Sequence, residues 1–342
     1  MEVNSLCAIR RACNTIVEQS RPNLNSSLPP PDMSARYYRI TNIGEWASVM
    51  LEFKAACEEY GVITVDSEDI IGVDDHWAAF ESIIIGTGDG FVYDFHVPSL
   101  KAEAKQRGKY KSKDLSTVLP PSIVKALHQE NLFKLGSDLG LDSLKDFSAF
   151  GVEVKPCFCT QPLHRAAEAF GFFDAQKNQT EAYGLGRSSF EVFSADYKPL
   201  KAAKYWKTYT QEQPRAWRWF CNPLWLYRWE QPLKPFQILY KLLDAQVPLC
   251  LLAHIIKLGI DQGCLSTCEG KSLSQVFQDV LRPFQAVGAW EANRTRKRRK
   301  GTGGKHAVCE HVASCVLFQG ILSARVKVST CHADTSCSDG EV

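Results

Sequence analysis

No run of about 18 apolar residues occurs in the 342-residue chain, so a membrane-spanning helix is not expected. The longest apolar stretch, Leu249 to Ile256, is too short and carries His254. Excess charge of one sign is also lacking. Lys and Arg number 40 against 38 Asp and Glu, a net charge of +2, which excludes a histone-like polycation and an acidic solvating chain. The N-terminal segment carries Arg10 and Arg11 and lacks the apolar core of a secretory signal, so an intracellular protein is expected. Internal repeats are missing too. Cysteine, by contrast, is abundant at 13 residues. In a chain of this length without a signal peptide, reduced thiols are expected, with Cys57 and Cys250 packing as small apolar residues.

Residues 1–35 read as a disordered leader, with Pro29, Pro30 and Pro31 closing it. Tyr37 to Ile40 predicts a short strand. Asn42 followed by Glu45 predicts a capped helix from Ile43 to about Glu59, with Gly61 past its end. Gly61 to Asp66 is β-branched and predicts a buried strand. A second strand is expected from Trp77 to Gly86 and a third from Phe91 to Val97, joined by Thr87-Gly88-Asp89-Gly90, so the three form an antiparallel meander. Strands at Leu132–Leu135 and Val152–Cys157 then alternate with helices at Pro121–Gln129, Asp142–Phe150 and Pro162–Phe170. A long helix from Leu233 to about Lys257 follows. The fold class is therefore α/β: a mixed sheet, meander plus parallel strands, flanked by helices.

Four acids occupy informative places. Asp66 and Glu68, two apart at the end of a strand, share one face of it. Asp142 starts the helix after the Leu132–Leu135 strand. Asp244 lies in the last helix, with Tyr240 four residues before it and so on the same helix face. Each pattern alone is weak, since Asp-x-Glu recurs at Asp339 and Glu341 and Tyr-x-x-x-Asp at Tyr110 and Asp114. Jointly they fall in one order on elements able to aim them inward. Carboxylates cannot converge unaided, because like charges repel. Hard divalent cations, Mg²⁺ or Mn²⁺, resolve the repulsion, and two such ions suit displacement at phosphorus.

These stretches carry a family resemblance. Val62-Ile63-Thr64-Val65-Asp66-Ser67-Glu68 resembles the first exonuclease motif of the DEDD 3′–5′ exonucleases. Gly136 to Leu144, with Asp142 six residues after the glycine, resembles the second. Trp229 to Leu233 followed by Gln237 to Ala245 resembles the third, and Tyr240 points to the DEDDy branch, which includes RNase D and the Werner-type exonuclease domain. The resemblance covers about residues 37–260. It implies a ribonuclease H-like fold and an exonuclease domain spanning 36–262, with inserts at about 100–118 and 171–231. Residues 263–342 are left as an irregular basic and Cys-containing tail. It also implies that Asp66, Glu68, Asp142 and Asp244 bind two Mg²⁺ or Mn²⁺ ions and that Tyr240 orients the attacking water. The expected reaction is hydrolysis of the 3′-terminal phosphodiester of RNA or single-stranded DNA, releasing nucleoside 5′-monophosphates. Asp69 departs from the family, whose members carry an aromatic or apolar residue there. A catalytically silent, nucleic-acid-binding or adaptor member of the fold is the alternative, although no acid of the set is lost.

Candidate nucleic-acid contacts come from the inserts. Lys101, Lys105, Arg107, Lys109, Lys111 and Lys113 oppose a single acid, Glu103, and would track phosphates or simply be solvated. Lys198, Lys201, Lys204 and Lys207 would form a basic stripe beside Tyr205 and Trp206 on a helix. Arg294 to Lys300 is a weak nuclear signal. Cys309, His311, Cys315, Cys331, His332 and Cys337 have the spacing of no standard zinc module.

Overall fold

The computed structural model describes residues 36–69, 75–136, 147–155, 157–160, 164, 232–233 and 235–261. Six strands form one sheet. They are β1 (Tyr37–Ile40), β2 (Val62–Asp69), β3 (Phe80–Thr87), β4 (Val92–His96), β5 (Phe133–Gly136) and β6 (Cys157–Cys159), ordered β1-β4-β3-β2-β5-β6. β2, β3 and β4 pair antiparallel, while β1 joins β4, β5 joins β2 and β6 joins β5 in parallel. This is the expected ribonuclease H-like mixed sheet: a meander extended by parallel strands and covered by helices.

Local signals account for most elements. Helix α1 (Ile43–Tyr60) starts where Asn42 Oδ1 accepts from the Glu45 amide at 3.0 Å, and Glu45 reaches back to the Thr41 amide at 2.6 Å. It ends at Gly61, whose φ of 65° suits glycine and whose N–H bonds the Cys57 carbonyl at 2.9 Å. Trp46, Val49 and Phe53 of α1 pack on Tyr93 and Phe95. Helices α3 (Val97–Gln106) and α4 (Pro121–His128) add Val97, Leu100, Ile123 and Leu127 to the same core, which holds Ile63, Val65, Ile83 and Ile85 of the sheet. Burying these side chains supplies the main drive for folding, at about 1.5–3 kcal/mol each.

Two expected strands differ. Trp77 lies not in a strand but in the short helix α2 (His76–Ala79). Asp75 caps that turn, accepting from the Trp77 amide through its side chain and from the Ala79 amide through its carbonyl. Residues 152–155 do not pair with β5, because the Val152 and Lys155 amides bond the Phe147 and Leu127 carbonyls instead; the ladder starts at Cys157. Cys57, Cys157 and Cys159 are free thiols, as expected, but buried Cys250 is disulfide-bonded rather than reduced. The Asp142 helix start, the Pro162–Phe170 helix, the 171–231 insert, the leader and the tail fall outside the described residues.

Helix α5 (Pro235–Asp261) covers the other sheet face, packing on β2, β3, β4 and β5. No helix among the described residues is long and apolar enough to cross a membrane.

Candidate metal centre

The face under α5 is set by strand register. Asp66 stands opposite Ile84, which stands opposite Asp94; Glu68 stands opposite Ser82, which stands opposite His96. Alternation therefore sends Asp66 and Glu68 to one face and Val65 to the apolar core on the other. The registered pairing of β2 with β5 ends at Thr64–Leu135, so both acids lie beyond it at the strand's C-terminal end. Pairing slips there. Glu68 faces Ser82 but Asp69 faces Phe80, leaving Glu81 as the extra residue of a β-bulge. The bulge lets Glu81 and Ser82 both reach the α5 side, where each meets Lys241.

Asp66, Glu68 and Asp244 offer carboxylate oxygens that all lie within 4.8 Å of one another. Asp66 is half-buried and the other two are buried. Three acids from one strand and a helix some 180 residues further along the chain thus share one point. Their oxygens are hard donors at metal-ligand spacing, and a divalent cation there would offset the repulsion among them. The donor set fits Mg²⁺ or Mn²⁺ rather than a thiolate-preferring metal.

Among the described residues, Ala245, Gln246 and Lys241 help to seat α5. Ala245 rests against Gly86, where an added Cβ would fall 3.0 Å from the Ala245 Cβ and 2.5 Å from Thr64 Oγ1. Gln246 donates through Nε2 to the Thr87 and Phe91 carbonyls, 3.2 Å each. Lys241, fully buried, donates to Ser82 Oγ at 2.7 Å, Asp94 Oδ2 at 2.9 Å and Glu81 Oε2 at 3.3 Å. Lys241 over Ser82, Ala245 over Gly86 and Gln246 by Thr87 mean that α5 follows β3 in the strand's own direction. Pro248, inside the helix, supplies no N–H to the carbonyl four residues back, that of Asp244.

Among the described residues, two cations, Lys241 and Arg39, meet two carboxylates, Glu81 and Asp94. Arg39 bonds Asp94 and, at 2.6 Å, Glu81; Tyr37 donates to Asp94. Burial alone would raise the Asp94 carboxyl, but Lys241 and Arg39 hold it below its ordinary range. His96, 3.6 Å from Glu81, is pushed down by burial and by Arg39. Sequence reading missed this group, although charged residues inside buried β-runs (Arg39, Glu81, Asp94) and Lys241 in an apolar helix are its signal.

The remaining expected site residues fare differently. Tyr240 lies in α5, one turn before Asp244, and is described through its backbone only. Asp142, Lys201 and Lys204 fall outside the described residues. Lys105 lies in α3 and Arg107, Lys109 and Lys111 follow it; all are exposed, and α3 packs on the face opposite the acids. Lys105 sits over the Tyr110 ring at 4.9 Å, and Arg107 pairs with Glu103 at 3.4 Å. The structure therefore does not bring this basic group to the carboxylates.

Fold and site together define a mixed-sheet α/β protein with a three-carboxylate centre between β2 and its covering helix. No family model matches the chain, and no curated protein matches it. Among solved structures it is similar to the EXD2 exonuclease domain. The form soaked in Mg is 16% identical with a TM-score of 0.33, covering 69% of this chain and 96% of that one. The form soaked in Mn and GMP gives the same four values. The form soaked in Mn covers 58% of this chain and 100% of that one at 14% identity and a TM-score of 0.33. Likeness at this level carries no weight for activity.

Proposed function

We propose that this chain is a metal-dependent 3′–5′ exonuclease of the DEDDy type, similar to RNase D and the Werner-type domain, acting on 3′ ends of RNA or single-stranded DNA. The observation that supports this most is the convergence of Asp66, Glu68 and Asp244 within 4.8 Å. Together with Asp142 they would hold two Mg²⁺ or Mn²⁺ ions. When bound, such ions make water nucleophilic at neutral pH and stabilise charge on the leaving oxygen. The carboxylates of β2 and α5 fix the donor set on two packed elements, so little reorganisation accompanies binding. Tyr240 would orient the attacking water. Water adds to the terminal phosphorus, the bond to the 3′ oxygen breaks, and that oxygen takes a proton. The products are a nucleoside 5′-monophosphate and a strand one residue shorter with a new 3′ hydroxyl. Residues 36–262 would be the catalytic domain, and Lys201 and Lys204 of the second insert would meet the substrate backbone. Arg294 to Lys300 would favour the nucleus.

A 5′-labelled oligonucleotide incubated with the full chain tests this. A ladder shortening from the 3′ end with Mg²⁺ or Mn²⁺, lost on chelation and in Asp66→Asn, is expected. Tight binding without cleavage in either metal would support the silent, adaptor reading instead.

A further inference from the structure

Lys241 stands three residues before Asp244 on α5, with its side chain wholly enclosed. Among the described residues its one amine meets Ser82 and bulged Glu81 on β3 and Asp94 on β4. Ser82 is the registered partner of Glu68, so the amine bonds a residue directly across from a candidate metal ligand.

Stability alone does not explain such a residue. Burying an ion pair costs desolvation of each charge, and apolar replacement of whole buried networks is often neutral or stabilising by about 1–4 kcal/mol. The bulk of α5 from Leu242 to Ile256 is buried and largely apolar, so an apolar residue at 241 would suit its packing. What an apolar side chain cannot supply is direction. Three bonds of 2.7–3.3 Å from one atom to two strands fix both the shift of the helix along β3 and its rotation. One turn on, that shift and rotation decide where the Asp244 carboxylate falls.

We propose that Lys241 is a positioning residue for the carboxylate centre, setting α5 so that Asp244 meets Asp66 and Glu68. The role rests on those three acids forming a metal site. Asp94 and Glu81 hold the amine, and Arg39 balances them from the edge strand β1. The network is thus a second layer behind the acids, joining four elements to the position of one ligand.

Mn²⁺ affinity of the full chain, read by calorimetry or by the free-ion EPR signal, tests this apart from catalysis. Lys241→Met is expected to weaken Mn²⁺ binding by about 10- to 100-fold, the usual effect of losing a group that orients a ligand. If that variant does not fold, Lys241→Met with Glu81→Gln, which leaves Arg39 and Asp94 balanced, carries the test and is expected to show the same loss. Lys134→Met, removing a buried lysine on β5 outside this network, is expected to keep wild-type affinity. Turnover should fall in the Lys241 variants while KM for the oligonucleotide stays constant. Wild-type affinity in either folded Lys241 variant overturns the role. So does an equal loss in Lys134→Met, which would signal general loosening, or failure of both Lys241 variants to fold, which would assign the residue to folding alone. A wild-type chain that binds no Mn²⁺ overturns the metal-site reading itself, and the positioning role with it.

Discussion

Gly86 and Ala245 lie so close that the helix backbone rests almost on the strand: a Cβ on Gly86 would be 3.2 Å from the Ala245 carbonyl oxygen. Only glycine lets α5 descend this far, and Asp244, adjacent to Ala245, descends with it. Gly86→Ala should therefore cost about 1–3 kcal/mol through overpacking. It should also weaken Mn²⁺ binding. Urea melts and a Mn²⁺ titration check both; an unchanged melt would refute the close approach.

Asp94→Asn should be among the most damaging substitutions. It leaves Lys241 and Arg39 sharing Glu81, and breaking a buried charge network from one side costs about 3–5 kcal/mol. Because the folded Asp94 pKa lies below its unfolded value, the stability it contributes is present above the unfolded pKa and is lost as pH falls through the folded one. Denaturant melts below about pH 4 should show a steep decline in wild type and a flatter one in Asp94→Asn.

Lys134 has a dependence of the same sign, displaced to alkaline pH. Burial lowers its amine to about 8, while it donates to the Gln129 and Lys155 carbonyls at 2.6 and 2.5 Å. Between about pH 8 and 10.4 the unfolded chain holds this proton and the folded chain has released it, so stability rises with pH in that window. Relative to Lys134→Met, wild type should gain stability from pH 8 to 10. A pH-independent difference in chemical denaturation between the two would contradict this.

Glu68→Gln should separate folding from metal binding. Neutralising one of three clustered acids relieves repulsion, so the metal-free variant should melt at or above wild type. Mn²⁺ at about 100 times its Kd should stabilise wild type by about 2.7 kcal/mol and leave the variant unmoved. Thermal melts with and without Mn²⁺ decide the matter, and equal upward shifts would place the ion elsewhere.

Much of the fold was legible because its signals are local. Asn42, Glu45 and Gly61 announce the ends of α1, and the β-branched run at Val62 announces β2. The two-residue period put Asp66 and Glu68 on one face. Trp77 misled because its aromatic, strand-favouring character was overridden by the Asp75 cap. Val152 misled because its amide turned back to Phe147. The Lys241 network was illegible for a different reason. Its bonds join residues 147 to 160 positions apart, and no short window shows that a lysine in one run will meet an aspartate in another.

Cleavage by the intact chain, compared with Asp244→Asn, tests the central claim most directly. A 5′-labelled single-stranded RNA and its matched DNA should each be offered with Mn²⁺ at a concentration shown to saturate the protein. The expected result is stepwise 3′ shortening by wild type and its disappearance in Asp244→Asn. A Mn²⁺-saturated wild-type chain that leaves both strands whole, or an Asp244→Asn chain that shortens them equally well, would contradict the nuclease assignment.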